Sequence, residues 1–303
     1  MARPASNTPS TENPNDRLGL VLAITAASGL GLAVAVSRLA YDGGTNGLTV
    51  AMTRSVVLVI GLFCFCRLTG RKLRMPLRDH MHCLGLGVLM AMMFYGNVGS
   101  VEFISVGLAA LLFYTFPPIV AAIQLIILRE PVPLAKIATI AIAFIGLAIM
   151  LGASLSNSNP LGVTLALGAA VAAAWNSVWV MRKLKHRDPL VLTFNMAVIA
   201  ALLLCLVTIG GDQVQIPEMP IGWLGLLLVV VLQASSIPLY FLAIPRIGAL
   251  KSAMVSNVQP VVSIVAAYVL YRELLSPPQF VGGAMVLSAV WLMQRFDRQR
   301  RQR

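Results

Sequence analysis

Two adjacent prolines, Pro117 and Pro118, stand in the middle of the apolar run FYTFPPIVAAIQLIILRE, and a third, Pro260, stands in SNVQPVVSIVAAYVLYRE. A proline has no N–H to give the carbonyl four residues earlier. Pro117 and Pro118 should therefore release the carbonyls of Phe113 and Tyr114, and Pro260 that of Ser256. Inside a bilayer such carbonyls need other donors. Thr115, Asn257 and Gln259 are close enough to interact locally or to take a ligand, which is the chemistry of neutral hydrogen bonding. A fixed kink that serves packing alone is the other reading of the same residues.

More polar and aromatic groups lie deep in apolar surroundings. FYGN supplies Tyr95 and Asn97, WNSVW supplies Trp175, Asn176 and Ser177, and QASSIPLY supplies Gln233, Ser235, Ser236 and Tyr240. A polar side chain facing lipid is costly, so these should face other helices. There they either line a pathway or join helices by hydrogen bonds. Trp175 is the preferred aromatic for a pathway, because Trp179, Trp223 and Trp291 lie nearer the ends of apolar blocks and suit an interfacial belt. Arg54 is a charge well inside a block, at a depth that costs at least about 2 kcal/mol unless it is paired or hydrated. Its planar guanidinium would suit a substrate carboxylate. Pairing with Glu102 or Asp42, or reaching the headgroups, would also account for it.

Catalytic patterns are missing. There is no H-E-x-x-H, Walker loop or G-x-S-x-G, and His80, His82 and His186 fall in basic loops. Cys64, Cys66, Cys83 and Cys205 show no metal spacing and read as small core residues. No cofactor or metal site is expected, and no enzyme. All eleven acidic residues map to tails, loops or block ends, whereas proton-driven pumps place such groups in the membrane. Transport down the substrate gradient is the expectation.

The elements that must hold these groups follow from composition. The chain is 58% hydrophobic and 11% charged over 303 residues, with a mean hydropathy of +0.84, which marks an integral membrane protein. Ten apolar blocks of about 20 residues, the length that spans a hydrocarbon core, run near 18–37, 47–66, 83–101, 104–128, 134–152, 161–181, 189–209, 221–243, 247–271 and 276–294. The fold class is all-α, with ten transmembrane helices. Pro117 and Pro260 each precede an Arg-Glu pair by 12 residues, or roughly 18 Å of helix, near the bilayer midplane. The net charge of +12 does not imply nucleic acid: if the N-terminus is cytoplasmic, 20 of the 23 basic residues fall on the inside, leaving Arg38, Arg54 and Arg272. Both termini are expected in the cytoplasm, with residues 1–17 a disordered tail lacking signal-peptide features and 296–303 a basic tail against anionic lipid.

The second half repeats the first at a constant offset of 143 residues. Leu18, Gly19, Leu22 and Ala23 match Leu161, Gly162, Leu165 and Ala166, while Pro117, Arg129 and Glu130 match Pro260, Arg272 and Glu273. Pro118 has Val261 as its mate, so the two breaks need not bend alike. Each unit, 18–152 and 160–295, contains five spans. An odd number turns the second unit over, which gives inverted repeats of the kind found in transporters. Arg129-Glu130 and Arg272-Glu273 sit where one helix leaves and another starts, so a helix-end role is expected, with glutamate near the first turn of the next helix.

The ten blocks, the repeated run from a central proline to Arg-Glu, and Arg54 early in the second block resemble the EamA-type branch of the drug/metabolite transporter superfamily. The resemblance covers residues 18–295 and is greatest to bacterial amino-acid exporters. It implies a 5+5 inverted-repeat bundle that exports small metabolites. The expected partners are a small-molecule substrate and the lipid bilayer of the bacterial inner membrane. The expected site combines Arg54, Tyr95, Asn97, Tyr114, Trp175, Asn176, Gln233, Tyr240, Asn257 and Gln259, with Pro117, Pro118 and Pro260 as hinges. A multidrug or nucleotide-sugar carrier, a proton-coupled antiporter, and a non-transporting receptor or scaffold are the competing readings.

Overall fold

The computed structural model describes residues 14–129, 134–154, 159–247, 252 and 255–301. Most of the expected N-terminal tail, residues 1–13, lies outside them. The described residues form helices α1 (Pro14–Asp42), α2 (Gly47–Leu68), α3 (Leu77–Gly99), α4 (Val106–Phe113), α5 (Phe116–Ala122), α6 (Leu134–Ser154), α7 (Pro160–Trp179), α8 (Pro189–Gly210), α9 (Pro220–Ile247), α10 (Val258–Tyr271) and α11 (Pro277–Arg301). No strand occurs among them.

Local chemistry sets where the helices begin. Asn46 accepts the Thr49 N–H ahead of α2, Ser105 that of Leu108 ahead of α4, Asn159 that of Leu161 ahead of α7, and Asp188 that of Leu190 ahead of α8. Each cap satisfies one of the orphan donors of a first turn. In α7 and α8 the next residue is proline, whose missing N–H is harmless there. The apolar faces look outward: Leu202, Leu206, Leu227 and Val269 are all more than half exposed, a surface suited to lipid and not to water.

Among the described residues, seven helical stretches are long and apolar enough to cross a membrane: Asp16–Asp42, Gly47–Leu68, Leu77–Glu102, Val106–Ile127, Pro160–Leu184, Pro189–Gly210 and Pro220–Ile247. Three further apolar helices, Ile137–Ile149, Val258–Tyr271 and Pro277–Leu292, are shorter. The block expected at 247–271 thus does not form one helix. The chain turns at Ser256 and Asn257 and starts again at Val258.

Helix contacts come in matched pairs. α1 packs along α9 and α10, as α7 packs along α3 and the α4–α5 segment. α2 meets α9 as α8 meets α3, while α2–α8, α6–α11 and α4–α10 are each their own counterpart. Exchanging first-half helices for second-half ones therefore maps the major contacts onto themselves. Loops cluster in the same way. Arg71 and Asp188 form an ion pair, as do Arg187 and Asp79, where the α2–α3 and α7–α8 connections meet. The α1–α2 and α8–α9 connections meet separately, through Glu218 N–H to Gly43 O (2.9 Å) and Asn46 Nδ2 to Gln213 O (2.8 Å).

The α1–α9 seam is lined by small residues. A Cβ on Gly225 would collide with the backbone of Leu39 and Ala40, and one on Gly43 with Gly222. Such close approach substitutes for the hydrophobic drive that lipid removes. Gly225→Leu should lower stability by about 1–3 kcal/mol, as overpacking does, read as a lower melting temperature in detergent. An unchanged melting temperature would show that the seam opens at little cost.

Candidate functional site at the paired helix breaks

α4 ends at Phe113, Tyr114 and Thr115 form a turn, and α5 begins at Phe116. Pro117 and Pro118 therefore occupy the first turn of a new helix, where absent N–H groups are tolerated, and not the centre of a kinked one. The Thr115 hydroxyl bonds back to Leu112 O (2.7 Å). Among the described residues neither the Phe113 nor the Tyr114 carbonyl accepts a hydrogen bond, as the double proline requires. Beyond α5 the chain widens into a π-helical turn, Ile123–Ile127, and another such turn, Val180–Leu184, follows α7.

The second break is closed from the other half of the chain. Pro260 sits in the first turn of α10, and the Ser256 carbonyl accepts the Gln259 N–H at 3.0 Å. It also accepts the Tyr114 hydroxyl at 2.8 Å, and the Gln259 side-chain amide lies 2.8 Å from the same phenol oxygen. Tyr240, two residues past Pro238 within α9, interacts with Ser256 and lies beside Tyr114. Tyr114, Tyr240 and Gln259 thus converge on Ser256. Asn257 occupies the turn next to it. The cluster carries hydroxyls, an amide, open carbonyls and aromatic faces, so it can bind a neutral or zwitterionic polar solute through hydrogen bonds and ring contacts.

α1 forms one wall through residues that were not nominated from the sequence. A Cβ on Gly31 would strike the Gln259 backbone, and one on Gly29 would strike the Ser236 hydroxyl. The Ser263 hydroxyl donates to Gly31 O at 2.8 Å. The signal was available in SGLGLAV, where two glycines in an apolar helix mark a close approach. Ser256 itself had been considered only for its carbonyl.

The remaining nominated residues lie elsewhere. Asn176 donates to Leu86 O of α3 at 3.1 Å, a bond between helices. Trp175 packs against the buried cluster of Ile123, Ala174 and Val178, and with Trp179 and His82 it lines a groove of about 350 Å³. The ring of Tyr95 packs on Gly47 and Gly99 near the far end of α3. Asn97 is buried without a side-chain hydrogen bond among the described residues, and Gln233 is buried with its Nε2 unpartnered. Arg54 is buried beneath the α2 start, its guanidinium 4.8 Å from the Phe94 ring centroid. It is not paired with Glu102, which instead accepts the Gly47 N–H at 2.8 Å.

The Arg-Glu pair does serve a helix end, but not that of the next helix. Glu273 accepts the Val106 N–H of α4 at 3.0 Å and forms an ion pair with Arg38. With Tyr41, Asp42, Glu102 and Ser105 these residues line a cavity of about 450 Å³. Arg129 and Arg272 are both left-handed, at φ 52° and 56°, so the two copies leave their helices by the same strained turn. Glu130 lies outside the described residues.

A helical membrane protein made of two matching units, each with one broken helix, belongs to an architecture from which transporters are built. The chain belongs to the EamA-like transporter family, which matches it twice, over residues 17–152 and 160–295. It is thus a membrane transport protein. An "Uncharacterized transporter" from Archaeoglobus fulgidus is 25% identical over 248 residues, covering 77% of this chain and 84% of the relative. A solved structure, described only as "Crystal structure of protein", is 18% identical with a TM-score of 0.60 over 94% of this chain and 98% of that one. It has the same fold.

Proposed function

We propose that the protein exports amino acids or related small amphipathic metabolites across the bacterial inner membrane by alternating access, as ten transmembrane helices in two inverted five-helix repeats with both termini cytoplasmic. The observation that carries this reading is the Tyr114 hydroxyl of one unit bonded to Ser256 and next to Gln259 of the other, at the break in each. A solute that replaces those bonds uncouples the two units where they meet. Pro117, Pro118 and Pro260 fix where the half-helices restart, which makes the turns at 114–115 and 256–257 the hinges. The matched helix contacts and the clustering of loops into two separate groups support the inversion. The preference for small polar solutes rests on the neutral hydroxyls, amide and rings of the cluster.

Exchange or uniport is the proposed energetics, since no acidic side chain takes part in the cluster among the described residues. Glu102 and Glu273 favour a second reading, proton antiport, because each carboxylate holds a helix-start N–H around the 450 Å³ cavity. One experiment separates them: flux of each of the twenty amino acids in proteoliposomes, with and without a pH gradient. Flux of at least one without the gradient is expected. No flux of any would overturn the substrate class, and flux only with the gradient would overturn the uncoupled mechanism.

A further inference from the structure

Arg54 is only 5% exposed, its Nε is buried without an acceptor, and no hydrogen bond from its guanidinium occurs among the described residues. Three other arginines near helix ends have carboxylate partners among the described residues. Arg38 pairs with Glu273, Arg71 with Asp188 and Arg187 with Asp79. Neither carboxylate that the sequence offers as a partner pairs with it among the described residues: Glu102 holds the Gly47 N–H, and no bond joins Asp42 to Arg54. What does surround the guanidinium is the Phe94 ring at 4.8 Å and Tyr41, whose hydroxyl donates to Val98 O at 2.8 Å. A ring face offsets part of a buried positive charge but accepts none of its hydrogen bonds. Burying a charged group short of partners is costly, and an anion against the fork would supply them.

We infer that Arg54 is a binding site for a small monovalent anion, held by the guanidinium fork between α1, α2 and α3. Tyr41 lines the 450 Å³ cavity as well as flanking Arg54, which gives an anion a route from that cavity past the phenol. Ten residues of α1 separate Tyr41 from Gly31 at the paired breaks, roughly 15 Å along the axis. The anion site is therefore distinct from the Tyr114 cluster. Its occupant has one chemistry and two sources: the carboxylate of a transported zwitterion, or chloride as a resident counter-ion. The first source rests on the transport reading, whereas the site itself does not.

Thermal unfolding of the purified protein in detergent tests this without any flux, so its failure and that of the transport reading are separable. Sodium chloride, sodium acetate and glycine are titrated in turn, with ionic strength held by isethionate. The melting temperature should rise by about 5 °C over a hundredfold range above the dissociation constant. The rise should vanish in Arg54→Gln and survive with a weakened midpoint in Arg54→Lys, which keeps the charge and loses the fork. A response to acetate and glycine beyond that to chloride assigns the site to carboxylates, and the reverse order assigns it to a halide. Absence of any response in the unmodified protein would overturn the site. So would an Arg54→Lys protein, or an Arg54→Gln protein, that responds as the unmodified one does.

Discussion

Tyr114→Phe is expected to slow solute flux at least tenfold in proteoliposomes while leaving the protein folded. The substitution removes one oxygen, and with it the Ser256 bond and the neighbour of the Gln259 amide. Each such contact contributes about 1 kcal/mol, and without the phenol the Ser256 carbonyl keeps the Gln259 N–H alone among its backbone donors. About 1.4 kcal/mol is a factor of ten in rate, so the loss of both contacts suffices. The effect should fall on the rate and not on yield, because α4 and α10 remain packed through Val106, Leu108 and Ala267. Flux unchanged in Tyr114→Phe would remove the phenol from the pathway.

Glu273→Ala should destabilise the protein by about 2 kcal/mol. It strips Arg38 of its carboxylate and α4 of the acceptor for its first N–H. Removing one partner of a largely buried pair costs about 3–5 kcal/mol, and the value is discounted because the Arg38 side chain is 36% exposed and keeps the Tyr271 ring at 5.2 Å. Glu273→Gln should recover about half, since its amide oxygen can still accept from Val106 while the charge is gone. The melting temperatures of the two variants and the unmodified protein check the order. A Glu273→Ala protein that melts with the unmodified one would mean that the Glu273 contacts add nothing to stability.

Much of this was legible from residue types. The apolar blocks gave the helices because bilayer thickness fixes their length, and the 143-residue offset gave the matched units because Pro and Arg-Glu recur without gaps. The breaks at both prolines were legible too, with Ser256 correctly named as a released carbonyl. Its partner was not. Tyr114 reaches Ser256 across 142 residues of chain, and no local pattern encodes which helices pack together. Asn176 and Trp175 could not be placed for the same reason: a polar or aromatic residue inside a span must face protein, but periodicity does not say whether it faces a pathway or the Leu86 carbonyl. The prolines misled in a smaller way. A proline at a helix centre and a proline at a new helix start look alike until the preceding turn is seen. Arg54 was noticed for its depth, whereas its lack of an acceptor is visible only once Glu102 is found on Gly47.

Alternating access requires that the paired breaks open to each side of the membrane in turn. Gln259→Cys, in a protein whose Cys64, Cys66, Cys83 and Cys205 have been replaced by serine or alanine, places a thiol at the break. An impermeant methanethiosulfonate reagent is then applied to proteoliposomes from outside, or sealed inside, and the modified fraction is followed in time. Modification from both sides, at rates that differ with the prevailing conformation, is the expected result. Modification from one side only, or from neither, would contradict alternating access at this site.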